Sequence, residues 1–281
     1  MPFNIDLSDK FAVITGAGGV LCSDFAKAIA ACGAKVALLD INYDAAKKYA
    51  DEICSSGGCA IAVKANCLDK SSLDEAKAII DKELGSCGIL INGAGGNNSK
   101  ATTANEYFDA EALTSPDVQD FFSLSSDGFK FVFDLNVTAA FLTTQVFARD
   151  MAAKNSGNII NISSMNAFRP LTKIPAYSAA KSAVSNFTQW LAVHFANAGI
   201  RVNAIAPGFF VSNQNKSLLF NQDGSPTPRT GKILAGTPMK RFGDASELLG
   251  ALLFFLCDEA SSFVTGVVLP IDGGFSAYSG V

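Results

Sequence analysis

The chain has 281 residues, of which 49% are hydrophobic and only 17% charged, with a net charge of −4 and a pI near 5.1. The length suits one large domain or two ordinary ones and can bury a sizeable core, and the low charge points to broad buried surfaces. The acidic balance argues against nucleic acid or an anionic membrane as the main partner.

Residues 1–10 lack the basic and apolar regions of a signal peptide, and the apolar stretch near 248–257 is too short to span a bilayer. The seven cysteines are scattered, and His194 is the only histidine. This pattern predicts reduced thiols in a cytoplasmic protein with no Cys/His metal site and leaves a carboxylate-bound Mg²⁺ open, though none is expected at the site.

In chain order, apolar β-rich runs at 11–15, 35–40, 60–64, 89–92, 158–162, 201–205 and 267–271 alternate with helical patterns. The helices are expected at 20–32, 43–55, 71–84, 128–154, 176–198 and 245–257. Strands apolar on both faces and separated by helices predict βαβ units. The expected fold is α/β, a doubly wound parallel seven-stranded sheet of Rossmann-like type, with 1–281 as a single domain. Two polar segments, 96–127 and 209–244, break the rhythm after predicted strands. Long loops at carboxyl ends of strands are expected to act as substrate loops or a lid.

Thr15-Gly16-Ala17-Gly18-Gly19 follows the first strand and opens the first helix. Such a turn lets backbone approach a pyrophosphate at a helix N-terminus. Val20, Leu21 and Cys22 stand where related motifs carry later glycines. Asp40 ends the second strand, 24 residues after Gly16, and can accept from ribose hydroxyls while repelling a 2′-phosphate. With no Lys or Arg in 38–42, NAD rather than NADP is expected.

Tyr177 and Lys181 lie four apart on a predicted helix, hence on one face. A neighbouring ammonium favours the phenolate, so the pair predicts a lowered tyrosine pKa and a general acid/base for an alcohol proton. Ser164, thirteen residues upstream of Tyr177, can hold the alcohol or carbonyl oxygen.

Together these residues resemble the short-chain dehydrogenase/reductase family, from about Leu7 to Gly274. The resemblance implies cofactor contacts from the turn Gly16, Gly18, Gly19, Val20 and Leu21, and from Asn66, Cys67, Asn92 and Ala94 (the latter two within Asn92-Gly93-Ala94-Gly95), besides Pro207 and Gly208. It implies a catalytic set of Ser164, Tyr177, Lys181 and Asn136, with Tyr177 and Lys181 also touching the cofactor and Asn136 tying a water to Lys181. Glycine replaces the second asparagine of the family's N-N-A-G motif at Gly93. Intact NAD binding with a slightly altered pyrophosphate turn is expected. The resemblance further implies a homo-oligomer, with the two longest helices forming a dimer interface within a tetramer.

Within the family, Gly18–Ser23, Pro175–Lys181 and Gly236–Gly243 look most like a group that interconverts D-mannonate and D-fructuronate with NAD(H). A hexonate needs a cation or amides for its carboxylate and polar groups for its hydroxyls. The candidates are Asn97, Lys100, Asn166, Lys173 and Asn215, with Lys173 and Asn166 closest in sequence to the catalytic pair. Competing readings are a dehydrogenase of another polyol, sugar or hydroxy acid, a catalytically silent NAD-binding regulator, and a sugar-nucleotide epimerase. The epimerase reading lacks the longer C-terminal domain such enzymes use.

Overall fold

The computed structural model describes residues 5–115, 117–211 and 219–280. The strands are β1 (Phe11–Thr15), β2 (Lys35–Asp40), β3 (Cys59–Lys64), β4 (Ile89–Asn92), β5 (Gly157–Ile162), β6 (Ile200–Pro207) and β7 (Val268–Ile271). They form one sheet in the order β3-β2-β1-β4-β5-β6-β7, every pair parallel. The order reverses beside β1, where chain connections leave in opposite directions and open a crevice at the carboxyl ends.

Alternate residues of each strand feed opposite layers. Ala12 and Ile14 join a core with Phe25, Ile29, Leu252 and Phe255. Val13 joins a second core with Leu73, Ile80, Phe147 and Met151. Each such fully buried large side chain contributes roughly 1.5–3 kcal/mol. The covering helices are α1 (Val20–Ala31), α2 (Tyr43–Ser55), α3 (Lys70–Glu83), α4 (Ser126–Phe133), α5 (Ala139–Lys154), α6 (Pro175–His194), α7 (Pro228–Gly236), α8 (Leu249–Leu256) and α9 (Asp258–Ser261).

Three departures from the expected elements matter for the site. The helix expected over 128–154 begins at Ser126, capped by Ser125, and contains a π-helical turn at Asp134–Thr138 between α4 and α5. β6 extends to Pro207 because β7 pairs with it up to Pro207↔Ile271. Within 209–244, Thr227 caps and Pro228 starts α7, a helix the polar composition had hidden.

The joined helix Ser126–Lys154 is long and apolar enough to cross a membrane by length and composition. Half of its apolar window is packed inside the protein, and Val146, Phe147 and Met151 belong to the second core. A ladder of rings from Phe141 through Phe187 and Trp190 to His194 and Phe195 runs along α5 and α6, with Trp190 half exposed.

Candidate active site

A cleft of about 660 Å³ opens at the carboxyl ends of β1, β4, β5 and β6. The glycine turn, Asp40, Gly95–Asn97, Ser164, Tyr177, Lys181 and Pro207–Phe210 line it. Residues from six separated stretches of sequence therefore meet on one surface.

The glycines of the turn are required by close approach. Gly16 has φ +67°, and a Cβ there would stand 2.9 Å from the Ala94 backbone. A Cβ on Gly18 would lie 2.9 Å from the Ala45 side chain and 3.0 Å from Asp40 Oδ2. The Gly18 N–H donates to Asp40 Oδ2 at 2.9 Å, and the Gly19 N–H donates to Gly16 at 3.0 Å. These two expected phosphate donors are thus committed within the turn. The first i→i−4 bond of α1 is Ser23 to Gly19, and no side chain caps the helix. The donors left at the helix N-terminus are Val20, Leu21 and Cys22, in the position that favours an anion. A dinucleotide fits this cradle, since the turn carries no side chain that would fill it.

Asp40 accepts from Gly18 and, through Oδ1, from Asn42 at 2.8 Å, which holds its carboxylate at the rim with lone pairs to spare. Asn66 and Cys67 lie outside the lining: the Asn66 amide is exposed and accepts from Leu68 in its own turn. Cys67 is buried, which pushes its thiol up to about 12. Asn92 is a clearer correction. Its amide donates to Thr144 and Asn161, and accepts from Thr143, in a buried network joining β4, α5 and β5. It fixes the floor rather than facing the cleft. The Ala94 N–H is likewise held, by the Thr15 hydroxyl at 3.2 Å. Thr15, which also accepts from Gly93, links the ends of β1 and β4 and was not singled out by the sequence.

The altered glycine motif has a structural counterpart. A Cβ on Gly93 would stand 2.1 Å from the Cys22 Sγ and 2.7 Å from the Thr15 carbonyl. The Cys22 side chain occupies the volume that a side chain at position 93 would need. Positions 22 and 93, both departures from the family pattern, thus share one volume across the β1–β4 crevice. At the far wall, a Cβ on Gly208 would lie 2.6 Å from Asp272, whose carboxylate accepts from Gly274 and Ser276 and shapes the turn beyond β7.

Ser164 ends the segment after β5, where its Oγ accepts from the Asn166 N–H at 3.2 Å. Tyr177 lines the same cleft, where the Ser164 side chain favours its phenolate. Lys181 is 4% exposed, donates to the Ile162 carbonyl at 2.7 Å, and has its Nζ 5.6 Å from the centre of the Tyr177 ring. The expected lowering of the tyrosine pKa is not what this arrangement produces. Loss of water around the phenol raises its pKa, and the Ser164 side chain only partly offsets that. Burial also drives Lys181 down to about 8.

A buried ammonium with one carbonyl partner costs stability, and its sign with pH is definite. The folded pKa lies below that of the unfolded chain, so the cost is full below pH 8 and vanishes as pH rises toward 10.5. The shift corresponds to about 3 kcal/mol, of which about 1–3 is returned when the Ile162 carbonyl loses its donor. Lys181→Met is therefore expected to melt at or above the wild-type temperature at pH 7. Its advantage should shrink between pH 8 and 10. A variant that is less stable at pH 7, or a gap that widens with pH, would contradict the burial cost.

Asn136 lies in the π-helical turn and is 2% exposed. Its amide donates to Gly96 at 2.7 Å and Val132 at 2.8 Å, and its Oδ1 accepts from Gly96 at 3.3 Å. Both amide hydrogens are spent on carbonyls, so the side chain anchors the loop after β4 and keeps one acceptor position at Oδ1. A Cβ on Gly95 would stand 2.7 Å from that oxygen and 3.2 Å from the Lys181 Nζ, so only glycine lets the two approach there.

The candidate substrate residues are divided. Asn97 lines the cleft and donates to Thr102. Lys100 is exposed and packs beneath Gly128 at the start of α4, outside the lining. Asn166 is 3% exposed, and its Oδ1 is buried without a hydrogen-bond partner. Lys173, at φ +73°, has its carbonyl held by the Thr103 N–H at 2.8 Å. Asn215 lies outside the described residues. Among the described residues no cluster of three or more His, Cys, Asp or Glu could hold a metal ion.

Comparison with known proteins agrees with this geometry. A short chain dehydrogenase family model matches residues 10–223. An uncharacterized oxidoreductase of Haemophilus influenzae is 60% identical over 280 residues, covering 99% of this chain and 97% of the relative. An uncharacterized oxidoreductase of Bacillus subtilis, UxuB, is 50% identical over 281 residues and the full length of both. A crystal structure from Haemophilus influenza with bound NAD, provisionally named a D-mannonate oxidoreductase, superposes with a TM-score of 0.94. It is 59% identical and covers 98% of each chain. The chain belongs to the short chain dehydrogenase family and is an oxidoreductase of the type that uses a nicotinamide cofactor.

Proposed function

We propose that the chain transfers hydride between NAD(H) and a sugar acid, with D-mannonate/D-fructuronate as the pair. The observation that carries the reaction type is the meeting of Ser164, Tyr177 and Lys181 on the same cleft as the uncapped α1 N-terminus and Asp40. Val20 and Leu21 would hold the pyrophosphate and Asp40 the adenosine ribose, with Pro207 and Gly208 walling the nicotinamide side. Asp40 would repel a 2′-phosphate, which supports NAD over NADP. The cofactor, when bound, gives or takes the hydride.

The remaining chemistry belongs to the chain. Ser164 receives the carbonyl oxygen, its own acceptor side occupied by Asn166 so that its hydrogen is free to donate. Tyr177 passes its proton to that oxygen as it gains charge. Its raised pKa keeps the phenol protonated at neutral pH, the form reduction needs. Oxidation needs the phenolate and is expected to accelerate with rising pH. Lys181 stabilises the phenolate left after reduction, and Asn136 is a positioning residue for the loop around Gly95. The segments 96–127 and 209–244 serve as substrate loops of one domain.

The sugar-acid reading is supported by the name of the 59% identical structure. We further infer a cytoplasmic homo-oligomer whose subunits meet on the ring ladder of α5 and α6.

A spectrophotometric assay tests the reading. D-mannonate with NAD⁺ and D-fructuronate with NADH are expected to turn over with kcat/KM at least tenfold above neutral polyols and above NADP(H). Preference for a neutral polyol would move the assignment to a polyol dehydrogenase. Cofactor binding without turnover on any of these would favour a silent regulator.

A further inference from the structure

The two long segments beside the cleft carry opposite charge. Segment 96–127 has one lysine against six carboxylates, and segment 209–244 has five cations against two carboxylates. In a chain of net charge −4 this contrast is local and directed. Both begin at the cleft, one at Gly96 and Asn97, the other at Phe209 and Phe210. They meet again farther out, where Lys232 of α7 donates to both oxygens of Glu106 at 2.9 Å. This pair joins residues 126 apart in sequence and ties the segment after β6 to the segment after β4.

A third segment reaches the same point. Lys173 stands four residues before Tyr177, its carbonyl bonded to Thr103, three residues before Glu106. A lysine at φ +73° is held against its own backbone preference, a strain that clusters at functional positions. The bond from Lys232 holds the Glu106 carboxyl below its ordinary range, and the charges of Lys173 and of Arg229, one turn before Lys232 on α7, act in the same direction. Three cations from two segments thus lie about one carboxylate, two more than it can pair, on segments that reach the cleft at Tyr177 and at Phe209 and Phe210.

We propose that Lys173 and Arg229 are specificity-determining residues that receive the carboxylate of an anionic substrate. The Lys232–Glu106 pair is the clasp that holds α7 in place to present Arg229. The proposal rests on the sugar-acid reading and names the residues that make it selective. Arg229 offers a fork suited to a carboxylate, and Lys173 supplies a point charge from the Tyr177 side. Glu106 consumes one of the three cations and leaves the other two underused until an anion arrives. A neutral polyol would gain nothing from them.

The test is steady-state kinetics on the full chain with D-mannonate and NAD⁺, in wild type, Lys173→Met, Arg229→Met and Glu106→Gln. Melting temperature and NADH affinity serve as controls. Lys173→Met and Arg229→Met are each expected to raise KM about tenfold or more with kcat within about twofold. Arg229→Lys and Lys173→Arg should recover part of the loss. Glu106→Gln should let trypsin cut α7 faster because the clasp is gone, and should raise KM less than either Met variant, because the positive charge it adds partly offsets a less firmly held Arg229. If wild type turns over D-mannonate but both Met variants keep its KM, the carboxylate assignment is wrong and the sugar-acid reading stands. If wild type prefers neutral polyols, both fail. An equal rise in KM for D-mannonate and for a neutral polyol would also overturn it, since a charge contact must discriminate between them.

Discussion

Tyr177→Phe is expected to bind NADH with wild-type affinity and to lose about three orders of magnitude in kcat. The substitution removes one hydroxyl from a phenol beside Ser164 and leaves the ring in place, so packing is preserved. Loss of a positioned acid lowers rates by about 10²–10⁴-fold. The affinity half follows because the proposed pyrophosphate and ribose contacts, Val20, Leu21 and Asp40, come from the start of α1 and the end of β2 and not from α6. Fluorescence titration with NADH and stopped-flow reduction would separate the halves. Turnover within tenfold of wild type would remove Tyr177 from proton transfer. In the oxidative direction the wild-type rate should climb with pH, because the half-buried phenol begins above its ordinary pKa. Tyr177→Phe should lack that climb.

The second large effect is expected at Gly93. Restoring the family's asparagine there, as Gly93→Asn, drives a side chain into the Cys22 sulfur and toward the Thr15 carbonyl. Overpacking of this kind costs about 1–3 kcal/mol, equivalent to roughly 2–10 °C of melting temperature at this chain length. The pyrophosphate turn rides on the same contact, so NADH affinity should fall with stability. Cys22→Gly alone empties a buried site and should also destabilise. The double variant Gly93→Asn/Cys22→Gly should recover more than the sum of the single effects allows, the mark of two residues sharing one volume. Additive losses would mean that the two positions depart from the family pattern independently.

Why some of this was legible in the sequence is a matter of where the information lies. The strands were readable because β1, β2 and β4 are apolar on both faces and bounded by turn residues, a signature that needs no partner. Tyr177 and Lys181 were readable because helix geometry alone puts them on one face. Asn92 was misread because its role depends on Thr143, Thr144 and Asn161, which lie 51 or more residues away. The committed donor at Gly18 was invisible for the same reason, since Asp40 reaches it from the neighbouring strand, whereas Gly19 is held by Gly16 within the turn itself. The tyrosine's shift was misjudged because spacing reports the nearness of Lys181 and not the loss of water around both groups.

The π-helical turn at Asp134–Thr138 has a consequence for chain length rather than chemistry. Such a turn holds one residue more than the regular screw, and each residue of an α-helix turns the chain by about 100°. Deleting one residue there would let α4 and α5 merge into a smooth cylinder of unchanged composition. It would also rotate everything on the N-terminal side by more than a quarter turn and swing Asn136 away from Gly96. The phase between the two halves of this helix is set by a residue count, so a shortened chain could keep its helix and its core contacts around Phe147 and still lose the anchor of the loop after β4.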